Sequence, residues 1–168
     1  MDDIGGSTEA VTRLVREEYV RLVRAVALVC GSTAAAEDAV QEALARAWDR
    51  LQRGHELERP ASWVVTVALN LTRSGLRRQA LHRRTLPRLA APGEHHDDPP
   101  ELLDLRAAVA ALPRRQREAV VMHYYLGFDV ASIGSVLGVS DGTVKSALFR
   151  ARAALAAALG EPEVTHHD

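Results

Sequence analysis

Apolar residues recur along most of this chain at steps of three and four, which is the spacing of one face of an α-helix. The first such stripe predicts a helix from about residue 8 to residue 29 and consists of Val15, Tyr19, Leu22, Val26 and Val29. No comparable stretch alternates with the period of a strand, and aromatic residues are only 4% of the chain. The pattern therefore predicts an all-α fold.

Glycine and capping residues divide the first half into three predicted helices. Gly31 ends the first helix, and Ser32 or Thr33 can cap a second helix that continues to about Leu51. A third helix is predicted from about residue 61 to residue 83. The apolar stripes of the second and third helices are Val40, Leu44, Ala47 and Leu51, and Val64, Val67, Ala68 and Leu71.

Residues 87–100 carry four prolines, a glycine and a mixed His-Asp cluster without periodicity. Such a composition is typical of an exposed linker. The sequence therefore predicts two small helical domains, residues 8–84 and 101–160, joined by a flexible linker over residues 85–100.

The second domain ends in a short helix, a tight turn and a longer helix, which is the helix-turn-helix layout. Asp129 caps the short helix, Gly138 ends it, and Ser140 caps a last helix that continues to about Leu159. Gly134 is expected where the two helices approach most closely. One face of the last helix is expected to pack on Ile133 and Leu137, through Val144, Leu148, Ala151 and Leu155.

The opposite face of the last helix is free and basic, and it carries Lys145, Ser146, Phe149, Arg150 and Arg152. Its cations can bind phosphates, and its guanidinium and hydroxyl groups can hydrogen-bond base edges in a major groove. An ordinary helical hairpin with a solvated basic face is the alternative.

The net charge of −1 conceals a segregation of charge. Six arginines without an acid occupy residues 73–88, and five acids without a base follow at residues 94–104. The third helix carries a second polar stripe, which consists of Trp63, Thr66, Asn70, Arg73 and Arg77. An exposed tryptophan, an amide and arginines suit a melted DNA strand, although Trp63 can equally pack in the core.

Asp38, Gln41 and Glu42 share a face of the second helix that its apolar stripe does not use. This acidic and amide-bearing surface suits a basic partner, and a solvated face is the plain alternative.

The segments 112–118 (LPRRQRE) and 137–146 (LGVSDGTVKS) resemble the C-terminal, −35-binding domain of sigma-70-type factors. Residues 37–43 (EDAVQEA) and Ala47-Trp48 resemble the family's N-terminal domain where it binds core polymerase. Trp63, Asn70 and residues 76–78 resemble its −10-reading helix. With both halves in this order and no intermediate domain, the chain resembles the extracytoplasmic-function (ECF) group.

The resemblance implies a sigma factor that binds core RNA polymerase and directs it to promoters. It implies core-polymerase contacts by Asp38, Gln41 and Glu42, and −10 contacts by Trp63, Asn70, Arg73, Arg77 and Arg78. It implies −35 contacts by Thr143, Lys145, Ser146, Phe149, Arg150 and Arg152, together with Arg114 and Arg115. The expected partners are core polymerase, promoter DNA and an anti-sigma factor. We expect no cofactor, metal or small-molecule substrate, no membrane insertion, and a cytoplasmic location.

Three residues depart from the family pattern. Ala147 stands where a basic residue is common, Leu69 where an arginine often precedes the asparagine, and Val65 where an aromatic residue is frequent. These departures are expected to weaken DNA contacts.

Two other classes of function compete with this interpretation. The chain could be a stand-alone helix-turn-helix regulator, or a helical adaptor that binds only protein. An enzyme is the least expected class, because the seven histidines show no metal-ligand spacing and no phosphate-binding loop or nucleophile motif occurs. The single cysteine, Cys30, is interpreted as a small buried residue.

Overall fold

The computed structural model describes residue 9, residues 11–83 and residues 100–160, with the backbone alone for residues 76–83 and 100–101. This part of the chain is helical and contains no strand, which confirms the predicted all-α class. The predicted linker lies outside the described residues except for Pro100. No helix in the described ranges is long and apolar enough to cross a bilayer.

The first helical group contains a π-helical turn, Leu14–Glu18, that leads into α1, Tyr19–Cys30; α2, Thr33–Gln52, and α3, Pro60–Arg83, follow. Gly31 adopts a φ of +78° and ends α1, since this left-handed conformation favours glycine. The Ser32 hydroxyl accepts a hydrogen bond of 3.2 Å from the Ala35 N–H and so caps α2. Both signals had been predicted from the sequence.

The π-helical turn corrects one residue of the first predicted stripe. Val15 is 46% exposed, whereas its neighbour Leu14 is buried. A π-turn fits more residues into one turn than an α-helix does, so it rotates the preceding residues away from their expected face. Leu22, Val26 and Val29 lie after the turn and are buried as expected.

The second helical group begins with α4, Pro100–Ala111, and α5, Arg114–Val120. Helix α5 continues as a π-helical turn, Val121–Tyr125. Helices α6, Val130–Leu137, and α7, Asp141–Leu159, follow. Asp129 accepts a 2.6 Å hydrogen bond from the Ser132 N–H and caps α6. Ser140 accepts one of 3.3 Å from the Thr143 N–H and caps α7. Gly138, with a φ of +65°, ends α6 between them. These local signals determine where α6 begins and ends and where α7 begins.

Helix α7 packs through the apolar face that the sequence predicted. Val144, Leu148 and Ala151 are buried, Leu155 is partly buried, and α7 contacts both α5 and α6. Gly134 lies beneath the turn that enters α7, as expected for a position of close approach. The helix-turn-helix is therefore held by its apolar side, and its other side stays accessible.

The two helical groups pack against each other and share a continuous apolar core. Helix α1 contacts α4, α5 and the π-helical turn after α5, and α3 contacts α6. Arginines reinforce these contacts: Arg21 donates to the Tyr125 carbonyl at 2.7 Å, and Arg117 donates to the Val29 carbonyl at 3.0 Å. The sequence had predicted the two groups but not their contact.

Candidate nucleic-acid and protein interfaces

The free face of α7 presents the predicted base-reading side chains to solvent. Lys145, Ser146, Phe149, Arg150 and Arg152 are all exposed, and Phe149 is 68% exposed although it is a large apolar residue. A phenylalanine so placed within a soluble helix loses hydrophobic free energy unless a partner covers it. The exposure of Phe149 leaves an apolar ring available to a partner at this face.

The cations of α7 are not engaged within the described chain. No hydrogen bond or ion pair is found there for Lys145, Arg150 or Arg152, so their charges are available to an anionic partner. Thr143 differs, because its hydroxyl lies 3.0 Å from the Ser140 hydroxyl and belongs to the cap. The surface thus combines free cations with a rigid helix N-terminus, and both favour phosphate.

Helix α3 carries the predicted −10 surface, of which the structure describes three side chains. Asn70 is exposed, and its Oδ1 accepts a 3.0 Å hydrogen bond from Arg73. Trp63 is partly buried and packs against the apolar core, so packing accounts for part of its surface. Arg77 and Arg78 lie within α3, but their side chains are outside the described residues.

Two of the departures from the family pattern are core positions. Val65 and Leu69 are buried, and the expected weakening of DNA contacts by the departures stays a prediction. A larger polar side chain at either position would have to leave the core. Ala147 is partly buried on α7, between the apolar face and the free face.

Glu118 joins side chains that the sequence assigns to different surfaces. Its Oε1 accepts hydrogen bonds from Arg73 of α3 at 2.8 Å and from Arg114 of α5 at 2.9 Å. Arg115 lines the same notch between the two helical groups. The carboxylate is only 2% exposed, and the sequence offered no signal that singled it out beyond its place in the LPRRQRE segment.

The predicted polymerase-binding residues lie together on the exposed side of α2. Asp38 is exposed and has no hydrogen-bond or ion-pair partner among the described residues. Gln41 donates to the Tyr19 hydroxyl at 3.1 Å, and Glu42 pairs with Arg46 at 2.7 Å. Trp48 lies two turns beyond Gln41 on the same side and is 44% exposed. The resemblance had already connected Trp48 with polymerase binding, but Trp48 was not among the predicted contact residues.

The described residues offer no cluster of metal ligands. Of the histidines, His123 has its Nδ1 3.0 Å from the Phe128 carbonyl, and it stacks edge-on with Tyr124. Cys30 is half-buried, its thiol donates to the Ser32 carbonyl, and burial raises the pKa of the thiol. A raised pKa suppresses the reactive thiolate, so the structure gives Cys30 no sign of a reactive role.

Two family descriptions match the chain in succession. Residues 14–82 match the description "Sigma-70 region 2", and residues 102–155 match "Sigma-70, region 4". The first range contains α1 to α3 almost entirely, and the second contains α6 and most of α7, which form the helix-turn-helix.

Curated relatives match over nearly the whole length. The ECF RNA polymerase sigma factor SigL of Mycobacterium tuberculosis is 34% identical, over 98% of this chain and 99% of the relative. SigM of the same organism is 30% identical over 94% of this chain and 81% of its own length. EcfG of Rhodopseudomonas palustris is 34% identical over 89% of this chain and 87% of its own.

Two solved structures share the fold. A chain in the co-crystal structure of the sigma factor RpoE with the anti-sigma factor NepR from Bartonella quintana matches with a TM-score of 0.73, at 25% identity. That match covers 88% of this chain and 94% of the other. A chain in the structure of CnrH with the cytosolic domain of CnrY matches with a TM-score of 0.64, at 25% identity, over 93% and 91% of the two chains.

Proposed function

Because the chain belongs to the sigma-70 family, we propose that it binds core RNA polymerase and directs it to promoters by recognising a −10 and a −35 element. The observation that carries this function is the succession of a region 2 match and a region 4 match in one short chain. A stand-alone helix-turn-helix regulator would need only the second. The chain is a small sigma factor of the ECF type.

The polymerase-binding surface is proposed on α2. Asp38, Gln41 and Glu42 give it acidic and amide groups, and Trp48 adds an exposed aromatic at its edge. Partly exposed aromatics beside polar groups are frequent energetic centres of protein interfaces. The acidic groups suit a basic polymerase surface, and the tryptophan supplies apolar area.

The −10 surface is proposed on α3, which carries Asn70 and Arg73 beside each other. An amide can hydrogen-bond the edge of an unpaired base, and a guanidinium can neutralise the backbone. Trp63, Arg77 and Arg78 complete the proposed set. The proposed division of labour assigns residues 8–84 to the polymerase and the −10 element, residues 85–100 to a linker, and residues 101–160 to the −35 element.

The −35 surface is proposed on the free face of α7, with Arg114 and Arg115 of α5 beside it. Lys145, Ser146, Phe149 and Arg150 enter the major groove, and Thr143 and Arg152 flank them. Arg114 and Arg115 contact phosphates, because they begin α5 and do not share the α7 face.

An anti-sigma factor is a further proposed partner. The two solved structures that share the fold are complexes whose titles pair RpoE with the anti-sigma factor NepR, and CnrH with CnrY. Sigma factors act as regulatory subunits, and we propose no catalytic activity and no cofactor for this chain. We propose that it acts in the cytoplasm with RNA polymerase.

Run-off transcription with purified core polymerase tests the function. The chain should confer transcription from a subset of promoters that core polymerase alone does not start. Core polymerase without the chain is the control. Specific duplex binding without any polymerase-dependent transcript would instead favour the stand-alone regulator.

A further inference from the structure

A notch beside α5 is lined by three arginines and has a volume of about 380 Å³. Arg73 comes from α3, and Arg114 and Arg115 come from the start of α5; Glu118 and Leu137 complete the lining. Three positive charges and one negative charge leave this arginine notch with a formal charge of +2. Its volume lies at the lower end of the range of small-molecule sites, about 300–1,000 Å³. The notch therefore has the size and the charge of a site for a small anion.

Several N–H groups around the arginine notch have no acceptor within the described part of the chain. The guanidinium of Arg115 makes no hydrogen bond or ion pair there, and Arg114 uses only its Nε, which donates to Glu118 at 2.9 Å. The Nε of Arg73 is buried and also lacks an acceptor. Folded proteins leave few buried donors unpaired. An anion with several oxygens would supply the acceptors that the described chain lacks.

Glu118 holds two of the arginines in place and does not neutralise the notch. Its Oε1 accepts from the Nη2 of Arg73 at 2.8 Å and from the Nε of Arg114 at 2.9 Å. The Nη1 of Arg73 also donates to the Asn70 Oδ1 at 3.0 Å, so this guanidinium is fixed at two points. A cation that is already fixed loses less side-chain entropy when it binds an anion. The carboxylate thus orients the two guanidinium groups before a ligand arrives.

We propose that the arginine notch binds a small anion that carries a diphosphate group. A guanidinium presents parallel N–H donors that match the oxygens of a phosphate. Such donors converge from Arg73 on α3 and from Arg114 and Arg115 on α5. Two linked phosphates therefore engage more of these donors than a single phosphate does. Inorganic pyrophosphate and the diphosphate of a nucleotide share this chemistry.

The depth of the arginine notch favours a small anion over a DNA duplex. The side chain of Arg73 is 22% exposed, whereas that of Arg114 is 55% exposed. A duplex is far wider than a notch of this volume, so its backbone reaches only the outer arginines, Arg114 and Arg115. A diphosphate is small enough to reach Arg73 as well. Participation of Arg73 together with the outer arginines thus distinguishes the small anion from duplex DNA.

Occupation of the arginine notch has a consequence for promoter binding, and this consequence alone rests on the proposed function. Arg73 is proposed for the −10 element, and Arg114 and Arg115 are proposed for the −35 phosphates. A bound diphosphate occupies all three arginines and so competes with both promoter elements. The ligand therefore acts as an inhibitor of promoter binding.

Calorimetric titration of the full chain with inorganic pyrophosphate tests the site. The titration is done without polymerase, DNA or divalent cations, at fixed ionic strength. The parent should bind one pyrophosphate per chain, and orthophosphate should bind at least about tenfold more weakly. ADP is the nucleotide probe. An affinity for ADP like that for pyrophosphate assigns the ligand to the nucleotides, and a much weaker one assigns it to inorganic diphosphate.

Substitutions in the arginine notch separate a built site from a general effect of charge. Arg114→Gln with Arg115→Gln should weaken pyrophosphate binding by at least about tenfold, and Arg73→Gln should weaken it too. Arg24→Gln with Arg50→Gln is the matched control, because it removes two charges from exposed positions of α1 and α2 and should bind normally. Circular dichroism checks folding. Arg115→Gln alone carries the test if another variant fails to fold, since Arg115 has no partner among the described residues.

The absence of saturable pyrophosphate binding overturns the site, as does an equal affinity for orthophosphate. Equal weakening by the notch variant and by the matched control also overturns it. Added pyrophosphate should lower promoter binding by the holoenzyme, whereas orthophosphate at the same ionic strength should not, and unchanged promoter binding overturns the competition. A chain that binds pyrophosphate but gives no run-off transcript refutes the proposed function and leaves the site standing. A chain that transcribes without binding pyrophosphate refutes the site alone.

Discussion

Gly134 lies so close to the turn before α7 that a Cβ at this position would be 2.9 Å from the carbonyl oxygen of Val139. The Asp141 carboxylate would be 3.3 Å away. Because the nearer atom belongs to the backbone, a side chain at residue 134 must push α6 and α7 apart.

Gly134→Ala should therefore destabilise the protein by roughly 1–3 kcal/mol, the usual cost of overpacking. Gly142→Ala is the matched control, since its Cβ would meet only the Ser140 hydroxyl at 3.9 Å. Urea unfolding of both variants gives the comparison. Equal stability of the two variants would contradict the close approach.

Asp38→Arg with Glu42→Arg should weaken binding to core polymerase by roughly tenfold or more, because like charges would then face a basic partner. Glu17→Arg with Asp104→Arg makes the same change in net charge at other exposed positions and should bind normally. Co-purification with tagged core polymerase measures both. Equal recovery of the two variants would remove α2 from the interface.

Asn70→Ala with Arg73→Ala should impair opening of the −10 region, because both side chains project from α3 at the proposed strand-binding face. Binding to core polymerase should be unchanged. Permanganate reactivity of −10 thymines in the holoenzyme complex measures opening. Reactivity at the parent level would show that neither residue contacts the melted strand.

Arg150→Ala should reduce the discrimination among −35 variants by about 1–3 kcal/mol, the value of a bidentate base contact. Arg114→Ala with Arg115→Ala should lower binding to every variant alike, since phosphate contacts carry no sequence information. A panel of single-base −35 substitutions, bound by holoenzyme at fixed salt, gives both. If Arg150→Ala preserves the ranking and spread, Arg150 is a phosphate contact.

Asp129 should contribute a pH-dependent part of the stability of the helix-turn-helix. Hydrogen bonds from the Ser132 hydroxyl and N–H, with a smaller effect of Arg59, lower the pKa of Asp129 from its ordinary 3.8. A lowered pKa in the folded state stabilises the protein above the unfolded value, and this stability is lost as the pH falls through the folded value.

Asp129→Asn keeps a capping side chain but removes the titration. Urea unfolding should show the parent to be the more stable at pH values above the ordinary pKa, and the difference should disappear as the pH falls through the lowered pKa of the folded state. A difference that stays constant across this range would show that the Asp129 charge has no role.

The helix boundaries could be predicted because their signals are local. Gly31, Ser32, Asp129, Gly138 and Ser140 each determine a helix end through atoms within a few residues of themselves. The apolar face of α7 followed from spacing alone. The sequence thus contained these helix ends and the free face of α7.

The contacts between the two helical groups could not be predicted, because they join residues that are far apart in the sequence. Arg21 and Tyr125 are 104 residues apart, and Arg73 and Glu118 are 45 apart. From the sequence, each arginine resembles an ordinary solvated cation. The π-helical turn at Leu14–Glu18 was missed because Leu14 and Val15 are both apolar, so either could complete the apolar stripe of the first helix.

The continuous apolar core limits how freely the two helical groups can be exchanged between relatives. Helix α1 packs on α2 and α3 and also on α4 and α5, so its side chains must fit two neighbourhoods at once. A chimera that joins the first group of this chain to the second group of a relative would bring mismatched surfaces together. The side chains of the two groups must therefore fit each other along α1, so a substitution in one group restricts the side chains that the other can accommodate.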